Sequence, residues 1–458
     1  MIRDFLEPLP GLTLAFACTV GVLFALYVGL LIVVYLGDRP SPAGDRSLFG
    51  WHFLVPCRDE EAVIGDTIRY LRLTFPYAHV WVVDDDSRDR TAEITQRMRL
   101  DGGGDERIHL VRRFRPYART GKGDALNAGY RALRQWAGQA VDPDRTVVVV
   151  VDADGRPAPD CLAVCAADHL FGDAKVGAVQ VDVRMLNCGM PAPGVGWGRR
   201  YFGRALVRMQ DLEFRVAIAA IQMSRRFTGS VAMGGNGQFT RLSALDSIAG
   251  PHGQPWRGSL LEDFELGVYL LTEGWRTRFT ADTHVAQEAL YSLRRFLAQR
   301  TRWDQGAMQC ARHVPRIWHS PHVSLWGFAE MMYYLARPWM HLLGTLVYVV
   351  LLLLLALDTL HDSELARRWF TASGWVPFTV AGSCGLLPFL VWGPIYWVRC
   401  GRSGSPLRGL TYGAVYAMYV NLSYLTSWRA LTRLLRGHNS WAKTRRNREL
   451  DGVVTIYH

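Results

Sequence analysis

Three sets of carboxylates and neighbouring polar groups, each following an apolar run, hold the chemistry this sequence can do. Asp152-Ala153-Asp154-Gly155 comes directly after five valines, Val147 to Val151. Aspartates at the end of a buried strand are costly to leave unpaired, so they need a cation, hydrogen-bond donors or solvent. Spaced i and i+2, Asp152 and Asp154 can face one crevice and offer oxygen ligands to Mg²⁺ or Mn²⁺, which commonly take one or two carboxylates plus substrate phosphates. The plainer alternative is an Asx turn at the strand end. Asp84-Asp85-Asp86-Ser87 follows Val82-Val83 in the same way, and Pro56-Cys57-Arg58-Asp59-Glu60 follows Val55. Ligands of open α/β sheets bind beyond the carboxyl ends of the strands, so three such clusters point to one crevice.

Further along, Gly121-Lys122-Gly123-Asp124-Ala125-Leu126-Asn127-Ala128-Gly129 carries a lysine between glycines but lacks the G-x-x-x-x-G-K-[ST] frame of a P-loop. In Ser259-Leu260-Leu261-Glu262-Asp263-Phe264-Glu265-Leu266-Gly267, Ser259 and Glu262 have capping-box spacing, which predicts a helix from Ser259 with Asp263 in its first turn. Gln299-Arg300-Thr301-Arg302-Trp303 on a helix would put Gln299, Arg302 and Trp303 on one face, either as a functional face or as an ordinary amphipathic stripe. The glycine-rich Gly234-Gly235-Asn236-Gly237-Gln238-Phe239 permits a tight turn or a close backbone approach. No carboxylate or cysteine completes a metal set with His313, His319 and His322, which read as interface residues.

Taken together, these strings resemble the motifs of membrane-integrated family 2 glycosyltransferases of the cellulose, chitin and hyaluronan synthase type. The usual forms there are P-x-x-N-E, V-D-D-G-S-x-D, G-K-x-x-A-L-N-x-G, T-E-D-x-x-L and Q-x-x-R-W, and all five have counterparts here in the family's order. The resemblance implies a GT-A-like, Rossmann-like domain and inverting, metal-dependent transfer from a nucleotide-sugar, first of all a UDP-sugar. In that picture Pro56, Glu60, Asp84 and Asp85 hold the uridine and ribose, and Lys122 lies near the sugar-diphosphate. Asp152 and Asp154 hold the metal on the diphosphate, and Asp263 takes a proton from the acceptor hydroxyl as general base. The fork of Arg302 steadies the departing UDP, while Gln299 and the flat indole of Trp303 hold the growing end. The 234–239 loop resembles the family's acceptor-side loop. Three positions depart from the pattern: Asp59 stands for Asn, Asp86 for Gly, and Leu261 where Thr or Ser is common.

The product first expected from the Q-x-x-R-W motif is a processively made, exported β-linked polysaccharide of glucose or N-acetylglucosamine. A nonprocessive synthase that adds one hexose to a lipid such as diacylglycerol is the alternative. A noncatalytic sugar-nucleotide-binding membrane subunit is the third possibility.

The elements that would position these residues are legible as texture. From about 50 to 330, short apolar runs alternate with amphipathic stretches, which predicts an α/β domain with a mixed, mainly parallel sheet. His52–Val55, His79–Val83, Thr146–Val151 and Val176–Val183 are the strand candidates, and Ile64, Ile68 and Leu71 recur at helical spacing between the first two. A long helix is expected over 199–227, with an apolar stripe that Glu213 interrupts, and another over 291–317. Each suits either a surface helix on the core or a helix lying in a membrane interface.

Around this domain the composition turns apolar, 49% against 20% charged overall. The uncharged stretch 11–36 exceeds the ~20 residues a helix needs to cross hydrocarbon and reads as an uncleaved anchor. Trp339–Leu357, Trp375–Val398 and Gly409–Trp428 give a C-terminal membrane region over 332–432, followed by a basic tail over 433–458. Arg39, Arg46 and Arg58 after the first span predict a cytoplasmic central domain, and the expected location is that of an integral protein of a bacterial plasma membrane. The basic tail prefers the inside, whereas the span count would put it outside. The net charge of +11 suits membrane lipids and a diphosphate, and no motif for nucleic acid is present. The expected partners are thus a nucleotide-sugar donor, a glycan or lipid acceptor, and membrane lipids. The scattered cysteines, with Cys161 and Cys165 at helical spacing, read as reduced and buried.

Overall fold

The computed structural model of the chain describes residues 9–192, 196–361, 386–400 and 405–438. Two compact units are formed, one from the described parts of Met1–Asp38 and Arg337–Trp428, the other from Arg39–Ala336 and the described part of Arg429–His458.

The larger unit is an α/β domain. Among the described residues eight strands form one sheet in the order β3-β2-β1-β4-β7-β6-β8-β5. They are β1 (Gly50–Cys57), β2 (His79–Asp85), β3 (Ile108–Arg113), β4 (Thr146–Val150), β5 (Arg156–Pro157), β6 (Val176–Met185), β7 (Gln238–Arg241) and β8 (Arg276–Gln287). The β1, β2, β3 and β4 strands pair in parallel. β7 runs against both β4 and β6, β8 runs parallel to β6, and β5 reverses again. The fold is GT-A-like with a mixed, mainly parallel sheet.

Pleating explains the sequence texture. In β1 and β2, Phe53, Val55, Val80 and Val82 face a core closed by Ile64, Ile68 and Leu71 of the Ile64–Thr74 helix. The opposite face receives the Lys122–Ala137 helix, where Gly129 comes so close that a Cβ would sit 2.9 Å from both Leu54 Cδ2 and Val83 Cγ2. The Val147–Val150 run is buried throughout because both faces of β4 are covered. The four expected strands are present as β1, β2, β4 and β6; β1, β2 and β6 run longer than expected and β4 stops one residue short, at Val150. β3, β5, β7 and β8 have no counterpart among the expected strands, and β7 takes over the end of the 234–239 glycine-rich stretch.

Two other local expectations are corrected. The helix carrying Asp263 begins at Glu262, not Ser259. Ser259 Oγ accepts from the Leu261 N–H at 3.2 Å and its own N–H donates to Glu265 Oε2 at 3.0 Å, so the capping box is replaced by an ST turn tied to a buried carboxylate. The 409–428 stretch is two helices, Leu407–Val420 and Leu422–Leu435, separated at Asn421, whose side-chain amide donates to the Ala417 carbonyl at 2.6 Å.

The smaller unit is helical, with Leu9–Gly37, the part of Leu325–His361 beyond Pro338, Trp392–Arg399 and Leu407–Val420. Arg399 donates to the Leu36 carbonyl at 2.9 Å. The last two helices meet at glycines, where a Cβ on Gly393 would lie 2.0 Å from the Gly413 nitrogen. Among the described residues, one segment, Thr19–Gly37, is long and apolar enough to cross a membrane by length and composition. The first part of Trp375–Val398 and the tail from 439 onward lie outside the described residues.

Candidate active site

Because β2, β1 and β4 are adjacent and parallel, Asp84 and Asp85, the Pro56–Glu60 segment, and Asp152 with Asp154 all emerge at the same edge of the sheet. Pro56 lies opposite Val83 in the β1–β2 register. The loops beyond these two strands are stitched together: the Asp59 N–H donates to Ser87 Oγ at 2.9 Å, the Glu60 N–H to Thr91 Oγ1 at 2.8 Å, and the Arg88 N–H to Asp59 Oδ1 at 2.7 Å. Asp59 and Asp86 have φ of +53° and +59°. Left-handed backbone is most readily taken by Gly, Asn and Asp, which explains both departures from the family pattern. Arg119, also left-handed at +64°, pairs with Asp86 Oδ2 at 3.0 Å.

Asp85 is the buried end of this arrangement. Its Oδ1 accepts from Arg113 Nη1 and, at 3.0 Å, from the Arg119 N–H. Its Oδ2 is buried with no hydrogen-bond partner among the described residues. A buried carboxylate oxygen left unsatisfied is uncommon and calls for a ligand or ordered solvent. Burial raises the Asp85 carboxyl, against the Arg119 N–H and the charges of Arg113 and Arg58. Burial likewise raises Asp84, whose Oδ1 accepts from the Ser87 N–H at 3.3 Å.

A second group of charges gathers around Lys122 at the start of its helix. The ammonium donates to Asp152 Oδ1 at 2.7 Å and to the Gly235 carbonyl at 2.6 Å, and stands 4.0 Å from Glu262 Oε1. A Cβ on Gly235 would lie 2.9 Å from Lys122 Nζ and 3.2 Å from Asp263 Oδ2, so Asp263 belongs to the same group. Burial works against the lysine charge, but Asp152, Glu262 and Asp263 outweigh it and hold the ammonium above its ordinary range. Both Glu262 and Asp263 are raised, Glu262 by burial and then by the charge of Asp263, and Asp263 by burial against the pull of Lys122.

The G-K-x-x-A-L-N-x-G helix builds this site as well as supplying its lysine. Asn127 donates to the Trp256 carbonyl at 2.8 Å and accepts from the Trp256 N–H at 3.0 Å, fixing the loop that leads to Glu262. At Gly123 a Cβ would meet the Arg257 carbonyl oxygen at 2.9 Å, so only glycine lets that loop approach so closely. A cleft is left between them, lined by Thr120–Asp124, Arg257–Leu260 and Glu262.

Asp154 is buried, and its Oδ2 accepts from the Glu288 N–H at 3.1 Å, while Asp152 is partly open. Among the described residues no group of three or more His, Cys, Asp or Glu forms a self-contained cage. Two carboxylates two residues apart are hard oxygen donors, and they fit a divalent cation whose remaining ligands come from phosphate and water. His313 is accounted for otherwise, with Nε2 2.7 Å from Glu265 Oε1.

The Gln299-Arg300-Thr301-Arg302-Trp303 motif lies on the Leu293–Cys310 helix. The charge of Arg302 acts on Glu262, which puts it toward the acidic group, and Gln299 is partly buried on the same helix. Trp303 has protein neighbours on its ring. The Arg300 guanidinium lies over its ring, 4.1 Å from the centroid, and Phe214 stands edge-on at 6.2 Å. Its indole also packs on the cluster of Leu261, Phe264 and Val268.

Sequence patterns do not single out Arg113, Arg119, Asn127, Gly235 or the site role of Glu262. Asn127 and Gly235 lie inside the glycine-bearing strings, and Glu262 has the spacing of a cap; the two arginines carry no local signal.

The chain is 30% identical over 277 residues to the β-monoglucosyldiacylglycerol synthase of Synechocystis sp., covering 59% of this chain and 51% of that protein. It is 24% identical over 264 residues to an N-acetylglucosaminyltransferase of Rhizobium leguminosarum bv. viciae, covering 56% and 55%. It thus matches about half the length of each relative. A mannosyltransferase from Pyrobaculum calidifontis, solved with GDP-mannose and Mn²⁺, has the same fold, with a TM-score of 0.52 at 17% identity over 92% of this chain and 98% of that one. A family model described as glycosyltransferase-like family 2 matches residues 50–306, from the first strand to the helix bearing Arg302, and the chain belongs to that family of glycosyltransferases.

Proposed function

We propose that this glycosyltransferase adds a single hexose, first of all glucose from UDP-glucose, to a lipid hydroxyl such as that of diacylglycerol. The order of the two products expected from the motifs is thereby reversed. Three relatives named as β-monoglucosyldiacylglycerol synthases align over 56–59% of this chain and about half of their own length. The observation that carries the reading is Arg300 across the Trp303 ring, because it covers a surface on which a growing glycan would stack. Processive synthesis of a β-linked polymer, as in the cellulose, chitin and hyaluronan type, is the second reading and rests on the Q-x-x-R-W string.

The mechanism proposed from the geometry is a single displacement with inversion. Pro56, Glu60, Asp84 and Asp85 hold the nucleoside; the unsatisfied Asp85 Oδ2 supports this role. A divalent cation on Asp152 and Asp154, Mg²⁺ or Mn²⁺, would bind the diphosphate and offset its charge. Asp263 takes the proton from the acceptor hydroxyl, whose oxygen bonds to the anomeric carbon as the bond to the diphosphate oxygen breaks. Arg302 and Lys122 face the leaving diphosphate, and Gln299 lies on the acceptor side.

We place the protein in a membrane with its catalytic unit on the cytoplasmic side. The apolar Thr19–Gly37 segment and the arginines that follow it support this assignment.

Product analysis tests the reading. Purified full chain given radiolabelled UDP-glucose and diacylglycerol in mixed micelles is expected to yield a glycolipid bearing one sugar. A long, β-linked chain as the main product would overturn it.

A further inference from the structure

Glu213 is the charge that interrupts the apolar stripe of the long helix, and a carboxylate on a buried stripe is costly unless it is paired. The structure resolves the interruption as a change of helix type. Regular helix runs over Trp197–Leu212 and again over Ala219–Thr228, with a π-helical turn, Glu213–Ile218, between them. Such turns admit an extra residue at some cost in helix stability and recur at functional sites.

What this turn achieves is a bidentate grip on Arg300. Glu213 Oε1 accepts from Arg300 Nη1 at 3.0 Å and Oε2 from Nη2 at 2.5 Å. Both side chains are mostly buried, at 18% and 14% exposure, so the fork is shielded from water. Arg300 is held over three rings, 4.1 Å from the centroid of Trp303, 5.0 Å from Phe296 and 5.8 Å from Phe214. Phe214 is itself the second residue of the π turn. One irregular turn therefore supplies both the carboxylate that orients Arg300 and the ring that abuts Trp303 on its edge.

We propose that Glu213 is a positioning residue for the acceptor: by clamping Arg300 across the indole of Trp303 it sets the acceptor side of the site and closes that ring face to a stacked sugar. The specificity part of this proposal rests on the single-hexose reading. Glu213 touches neither donor nor acceptor; it acts through Arg300 and Trp303. Replacing the fork with a point charge, as in Arg300→Lys, keeps the charge and loses the bidentate geometry.

The test compares Glu213→Gln and Arg300→Lys with the unaltered full chain, purified in the same detergent. KM and kcat are measured for whichever acceptor the unaltered chain uses, and acceptor-free hydrolysis of the nucleotide-sugar is measured separately. A rise of about tenfold in acceptor KM is expected in both variants, the scale of a small misplacement of bound substrate. Acceptor-free hydrolysis is expected to stay as in the unaltered chain, while the melting temperature falls by a few degrees in Glu213→Gln, where the buried guanidinium loses its charge partner. Unchanged acceptor KM in both variants would overturn the proposal. So would a joint loss of acceptor use and donor hydrolysis, which marks a merely structural pair. Failure of the single-hexose reading shows separately, as an unaltered chain that modifies no lipid, and the KM comparison is then made with the glycan it does elongate.

Discussion

Lys122 lies among three carboxylates, 2.7 Å from Asp152 and within reach of Glu262 and Asp263. Several anions in one partly buried pocket repel one another, and the ammonium balances them. Gly235 is the surface against which this cluster is packed, since its missing Cβ leaves the space that Lys122 Nζ and Asp263 Oδ2 occupy. Gly235→Ala would push the far end of the lysine aside without disturbing the core. Turnover is expected to fall at least about tenfold, on the scale of an ångström-sized displacement in a catalytic group. The melting temperature should barely move, so parallel enzyme assays and thermal melts check it; normal turnover would show that the cluster tolerates the shift.

At the scale of elements, the Lys122–Ala137 helix is held to the sheet by a close contact at Gly129, where a methyl would collide with Leu54 and Val83. Gly129→Ala gains helix propensity but overpacks a tight interface, and the overpacking, about 1–3 kcal/mol, is expected to win. Chemical denaturation would show a lower midpoint with donor binding retained at permissive temperature. Strands β1, β2 and β3 carry His52, His79 and His109 in a stack with Trp81 and Trp136, well away from the carboxyl ends. Burial first, then neighbouring positive charge, lowers these histidines to about 3, 4 and 4. The unfolded chain takes up protons near 6.5 and the folded one does not, so stability is full above that value and falls as the pH drops from 6.5 toward 4. Melting temperatures across this range should decline, and replacing His79 and His109 by Gln should flatten the slope; an unchanged slope would assign it to other groups.

These elements also show what local sequence could and could not reveal. β1, β2 and β4 are legible because strands covered on both faces read as short apolar runs, and their acidic ends stand beside them. β3 and β8 mix polar and apolar residues without a sustained period of two, as in Ile108-His109-Leu110-Val111-Arg112-Arg113, and β7 has only four residues after a glycine-rich turn. A short string such as Ser259 to Glu262 fits a capping box as well as the observed turn, and tertiary contact with Glu265 decides between them. The grip of Arg113 and Arg119 on Asp85 spans 28 and 34 residues and is a product of folding alone.

For the molecule as a whole, the sheet joins two functions. The parallel strands β3-β2-β1-β4 present the carboxylates proposed to hold the nucleotide and the metal, while the segments following β7 present Glu262, Asp263 and the Q-x-x-R-W helix. Lys122 reaches from the first group to the second, and Asn127 anchors the loop between them. If the two sets form one site with separate duties, removing the base should spare donor binding and stop transfer. The most direct measurement is made on Asp263→Asn in the full chain, with calorimetry for UDP-sugar binding and a radiolabelled transfer assay on the same preparation. Donor affinity is expected within about threefold of the unaltered chain and transfer at least about 100-fold lower, the usual contribution of a general base. Full transfer by Asp263→Asn would contradict the account.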